Sequence, residues 1–163
     1  MDERALYLRT VIFGVTDSLV STVGLLAGLA VAGAALKTLV LTGIVYAFVE
    51  AFSMAVGNYL SEEGAQEYAA HAAAQSKTAF LGAVLMFVVF VLASFVPILP
   101  YVLLLGWQAL AVSIGASILA LFLLGLASAR LARLPLLARG ARMALLGGAA
   151  IVIGAVVGSL LQG

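Results

Sequence analysis

Five stretches of the chain, 11–35, 38–60, 78–96, 101–127 and 141–161, run almost without charge. Each is long enough to cross the hydrocarbon core of a bilayer, which takes about 20 residues of helix. No water-soluble fold hides that much apolar chain. Of the 163 residues 65% are hydrophobic, against roughly 45–50% in soluble proteins. The expected fold is therefore an all-α integral membrane protein with five transmembrane helices, read as one transmembrane domain over 1–163. A short acidic segment, 61–77, joins the second and third helices. Pro97 and Pro100 mark the turn between the third and fourth helices, whereas the first turn is marked by little more than Lys37.

The basic residues set the expected orientation. Arg4, Arg9, Lys77, Arg130, Arg133, Arg139 and Arg142 fall on one side of five alternating crossings, and Lys37 stands alone on the other. By the positive-inside rule the N-terminus is cytosolic, the segment 61–77 and the connection 130–142 are cytosolic, and Gly163 lies outside. The start of the chain reads as a retained first helix, because its apolar stretch is too long for a signal peptide. Tyr101 and Trp107 fit an interfacial position at the outer start of the fourth helix. The expected host is the cell (inner) membrane of a prokaryote.

Other classes are excluded on composition. There is no cysteine, so disulfides and thiolate metal sites are absent. The net charge is +1 and the basic residues are not interleaved with aromatics, which leaves no footprint for nucleic acid. Ser21, Ser53 and His71 offer no plausible catalytic triad, because the histidine lies in a water-exposed segment, so no enzyme is expected.

Two carboxylates stand out, Asp17 in the first apolar run and Glu50 in the second. An acidic side chain costs about 2.5–3.5 kcal/mol at the centre of a membrane helix and there marks function by default. No lysine or arginine stands at comparable depth in the sequence, so pairing with a buried base is not expected. Asp17, Ser21, Gly24 and Gly28 share one helical face, and Glu50, Met54, Gly57 and Ser61 repeat the spacing. Each carboxylate thus belongs to a stripe of small or ligand-capable residues that faces protein or a cavity rather than lipid. Counting inward from Arg9 and Ser61 puts Asp17 and Met54 at nearly the same depth, with Glu50 about 6 Å further out. Carboxylate oxygens with a thioether suit a borderline transition metal, although a methionine in an apolar helix is often simply packing. Carboxyl groups shielded from water hold protons until a cation displaces them, which supplies a mechanism for metal–proton exchange.

Small residues at Gly24 with Gly28, and at Gly154 with Gly158, read as ordinary close helix packing ahead of a dimer seam. In the acidic segment, Glu63, Glu67 and His71 fall on one side of a helix, with Glu62 beside them. They form either a small metal-gathering site or a solvated face with one ordinary histidine.

Residues 13–22, FGVTDSLVST, with Gly28, resemble the first-helix motif of the vacuolar iron transporter family. Residues 52–61, FSMAVGNYLS, resemble its second, and the stretch from Arg139 through Gly154 and Gly158 is similar to its last helix. The resemblance implies five helices per subunit and a homodimer with the metal path between subunits. It also implies export of iron(II) or manganese(II) from the cytosol against protons. Asp17 and Met54 match its metal-binding positions, and Glu50 a position where an acidic residue is common. Asn58 stands where many members carry glutamate, and the long cytosolic metal-binding helices of iron-transporting members are missing. Ser21 and Asn58 remain as polar residues along the path. The alternative within this fold is a membrane metal-binding, sensor or assembly subunit without transport.

Overall fold

A computed structural model describes residues 3–71 and 77–161. Five helices make up almost all of it: α1 (Glu3–Val31), α2 (Leu36–Ala70), α3 (Lys77–Leu103), α4 (Gly106–Ala132) and α5 (Leu136–Leu161). No strand occurs among the described residues. All five helices are long and apolar enough to cross a membrane, as expected for a multi-pass integral membrane protein. Met1, Asp2 and Gly163 lie outside the described residues, as do positions 72–76 of the acidic connection.

The helices alternate in direction, and α1 packs against each of the other four. Leu19, Val23 and Leu26 of α1 are fully buried, as are Met86, Phe90 and Ile98 of α3 and Leu121 of α4. Serines join helices where lipid offers no water to satisfy a hydroxyl. Ser18 Oγ donates to Phe90 O at 2.8 Å and lies 2.8 Å from Ser94 Oγ. Ser113 Oγ of α4 donates to Pro97 O of α3 at 2.7 Å.

Glycines bring α1 and α5 together, parallel to one another. A Cβ on Gly28 would lie 2.7 Å from Gly154 O, and one on Gly24 would lie 3.2 Å from Ala150 O. A Cβ on Gly154 would collide with Gly24 O, and one on Gly158 with Gly28 O. The two small-residue pairs of the sequence therefore pack against each other within one chain. α4 and α5 repeat the device, since a Cβ on Gly125 would lie 2.6 Å from Gly140 Cα.

Several sequence-based boundaries shift. Pro97 and Pro100 do not end the third helix; both lie inside α3, and the turn falls after Leu103. Breaking a helix at membrane depth would strand more backbone polar groups than a proline does, so prolines are tolerated there. The turn is made instead by Leu105 in extended conformation and Gly106 at φ 57°. Tyr101 consequently belongs to the end of α3, where it is 2% exposed, and is not an interfacial residue at the start of α4. Trp107, 75% exposed, does stand at the start of α4. The first helix begins by Glu3 rather than at 11, and the fifth begins at Leu136 rather than 141. α2 runs unbroken through the described part of the acidic segment to Ala70. Its 35 residues make it about 52 Å long, more than a bilayer core requires.

Candidate metal path between α1 and α2

Asp17 falls at the midpoint of the 29-residue α1. Helix α1 makes its sparsest packing against α2, and the polar residues gather along that seam. Asp17 and Glu50 are both partly buried and within electrostatic reach of one another across it. No basic side chain acts on Asp17, and neither carboxylate forms an ion pair among the described residues. The α1–α5 register places Arg142 only about one turn from the level of Asp17, closer than the sequence suggests. Yet Arg142 is exposed and leaves the carboxylate unpaired.

Tyr46, one helical turn from Glu50, was not singled out in the sequence. Its hydroxyl lies near Ser21 and within electrostatic reach of both Glu50 and Asp17. Ser21 Oγ in turn donates to Asp17 O at 2.6 Å. The available signal was its position: Tyr46 and Glu50 are four apart, hence on one face of α2.

On the side of these carboxylates nearer the α1 N-terminus lies a cavity of about 390 Å³. Met54, Asn58 and Ser61 of α2 line it with Arg9, Thr10 and Phe13 of α1 and Met86 of α3. Met54 is thus brought together with residues 9–13, while Glu50 lies within electrostatic reach of Asp17 and Tyr46 lies near Ser21. This register differs by about one turn from the depth count that set Met54 level with Asp17. Asn58 packs over α3, where a Cβ on Gly82 would lie 3.1 Å from its Nδ2.

The acidic overhang of α2 makes local contacts. Tyr59 donates to Glu63 Oε1 at 2.6 Å, and Gln66 Nε2 donates to Glu62 Oε1 at 3.0 Å. His71 closes α2 in the left-handed conformation, its ring edge-on to Tyr68. Among the described residues no three acidic or imidazole groups converge as a metal-ligand cluster, so Glu63, Glu67 and His71 are not brought together in that way. The seam itself contributes two carboxylates from one chain.

Among curated proteins no sequence matches the chain. Comparison with protein families matches residues 8–81 and 66–159, nearly the whole length, to the VIT family. Both halves of the α1–α2 seam and the glycine-rich α5 lie within these matches. The chain thus belongs to the VIT family, whose members are membrane transporters rather than enzymes.

Proposed function

We propose that the protein carries a divalent transition metal, iron(II) or manganese(II), out of the cytosol in exchange for protons. Asp17 and Glu50 are the exchanging ligands and Met54 receives the ion on the cytosolic side. The observation that carries this reading is the unpaired carboxylate couple at the centre of the α1–α2 seam, adjoining a polar cavity. Two acidic groups with no base between them repel each other when both are ionised. A dication or bound protons relieve that repulsion, and the two states interchange as the metal arrives and leaves.

The route is asymmetric in a way that suits cytosolic loading. The cavity beside Met54 presents an amide, hydroxyls and a thioether, and it lies at the end of the bundle rich in basic residues. At the opposite end, a space of about 260 Å³ is lined by Ala30, Ala34, Leu39, Trp107 and other largely apolar groups. Two carboxylates and a thioether are too few for a full coordination shell around such an ion. A homodimer that brings two α1–α2 seams together would supply a pair of each ligand. Gly57, whose Cβ position is open space, and the exposed Ser61 leave room on that face of α2.

The test is metal flux in proteoliposomes, run for iron(II), manganese(II) and cobalt(II), with and without a pH gradient. Flux should respond to the gradient, and Asp17→Ala should abolish it while the variant still inserts and folds. Flux that survives in Asp17→Ala, or stoichiometric metal binding with no flux at all in the parent protein, contradicts a carrier of this kind.

A further inference from the structure

The second half of the molecule has an unbalanced charge. Every acidic residue lies at or before Glu67, so α3, α4 and α5 contain none. Around the α4–α5 turn, by contrast, stand Arg130, Arg133, Arg139 and Arg142, all exposed. None of the four forms an ion pair with a described residue. Arg130 in the last turn of α4 is favourably placed against the helix dipole. Arg139 and Arg142 are not, since they sit near the start of α5, whose first turn holds no acidic residue.

The turn itself keeps an arginine where glycine is the cheaper residue. Leu134 N–H donates to Ala129 O at 2.9 Å and Arg133 N–H to Arg130 O at 3.4 Å, which closes α4 in a Schellman pattern. Arg133 occupies its left-handed position at φ 54°, a strained conformation for a side chain that is not glycine. Exposed Leu131, Leu134, Leu136 and Leu137 alternate with the arginines. The hairpin therefore combines apolar side chains that suit acyl chains with guanidinium groups at the ends of two membrane-length helices. From there long basic side chains reach towards the lipid phosphates.

We propose that the α4–α5 hairpin is a binding surface for the phosphate headgroups of anionic phospholipids, with Arg130, Arg133 and Arg139 as its cationic contacts and Arg142 a turn deeper along α5. Bidentate pairing of guanidinium with phosphate supplies the anion that the protein itself does not provide there.

The experiment uses the full chain in phosphatidylcholine nanodiscs, with part of the lipid replaced by phosphatidylglycerol. Retained lipid is counted by native mass spectrometry and melting is followed in parallel. The parent protein should retain phosphatidylglycerol over phosphatidylcholine and melt higher in its presence, with both effects weakening as salt is raised. Arg133→Gln combined with Arg139→Gln should lower retention about fivefold per charge removed. The same variant should melt like the parent in phosphatidylcholine alone, and the double lysine variant should keep most of the retention. Undiminished retention in the glutamine variant overturns the proposal, as does salt-independent retention by the parent, a readout that requires no variant to fold. Displacement of the lipid by soluble glycerol phosphate would assign the arginines to a free anion and also overturn it.

Discussion

Against α5, α1 presents Gly24 and Gly28, and the two backbones approach so closely that no side chain fits between them. Against α2, nearer its N-terminus on the same stripe, it presents Asp17 and Ser21, and the contact is sparse, polar and bordered by a cavity. One helical face thus serves two ends. The glycine half gains dispersion contacts and has no rotamers to lose, which drives helix association where lipid removes the hydrophobic effect. The carboxylate half is packed more sparsely, and under the proposed function that leaves its polar groups available to a passing cation. The lesson is that α1 is fixed by its C-terminal half and left adjustable at its middle.

If that division holds, the largest effect on stability comes from the glycine seam. Gly154→Leu forces α5 away from α1 and should destabilise the bundle by about 3 kcal/mol, read as a lower melting temperature in detergent. Loss of metal flux in that variant should follow loss of fold, in contrast to Asp17→Ala, which keeps the fold and loses flux.

Next in size is Asn58→Glu, which adds a carboxylate to the wall of the cavity that Arg9 also lines. Attraction for a dication, worth about 1 kcal/mol at a water-filled mouth, should tighten apparent manganese affinity about fivefold in a flux titration. Arg9 offsets part of this gain by pairing with the new group, so Asn58→Glu together with Arg9→Gln should tighten it further.

Tyr46→Phe removes the α2 hydroxyl that lies near Ser21. Even a full interhelical hydrogen bond in a membrane is worth only about 0.6 kcal/mol, so flux should change by no more than about threefold, with little movement of the melting temperature. The smallest effect belongs to Gly57→Ala on α2. Nothing lies within 4 Å of the added carbon in a single chain, so chain stability should shift by less than about 0.5 kcal/mol. A larger fall in flux than in stability there would point to a second subunit closing over this face.

The five spans, the two intramembrane carboxylates and the glycine pairs were all legible in the sequence, because length, charge and helical spacing are local properties. What escaped was non-local. Pro97 and Pro100 read as a turn by rules that hold in water, yet α3 runs on past both, as membrane helices packed among neighbours tolerate proline. Gly106, with positive φ, was the local signal for the real turn. That Met54 lines a cavity with residues 9–13, about one turn before Asp17, depends on the register of α2 against α1, which spacing within either helix does not contain. Tyr46 was hidden for a related reason: only the register across the seam shows that it reaches Ser21.

At the heart of the account is the exchange of protons for metal on Asp17 and Glu50. The most direct test is to add manganese(II) to the purified protein in weakly buffered detergent and measure the protons released for each ion bound. Release should be clear in the parent protein, and metal affinity should weaken as the pH is lowered, because a carboxyl must shed its proton to ligate. Asp17→Asn combined with Glu50→Gln should bind weakly and release none. Undiminished proton release from that double variant would contradict the account.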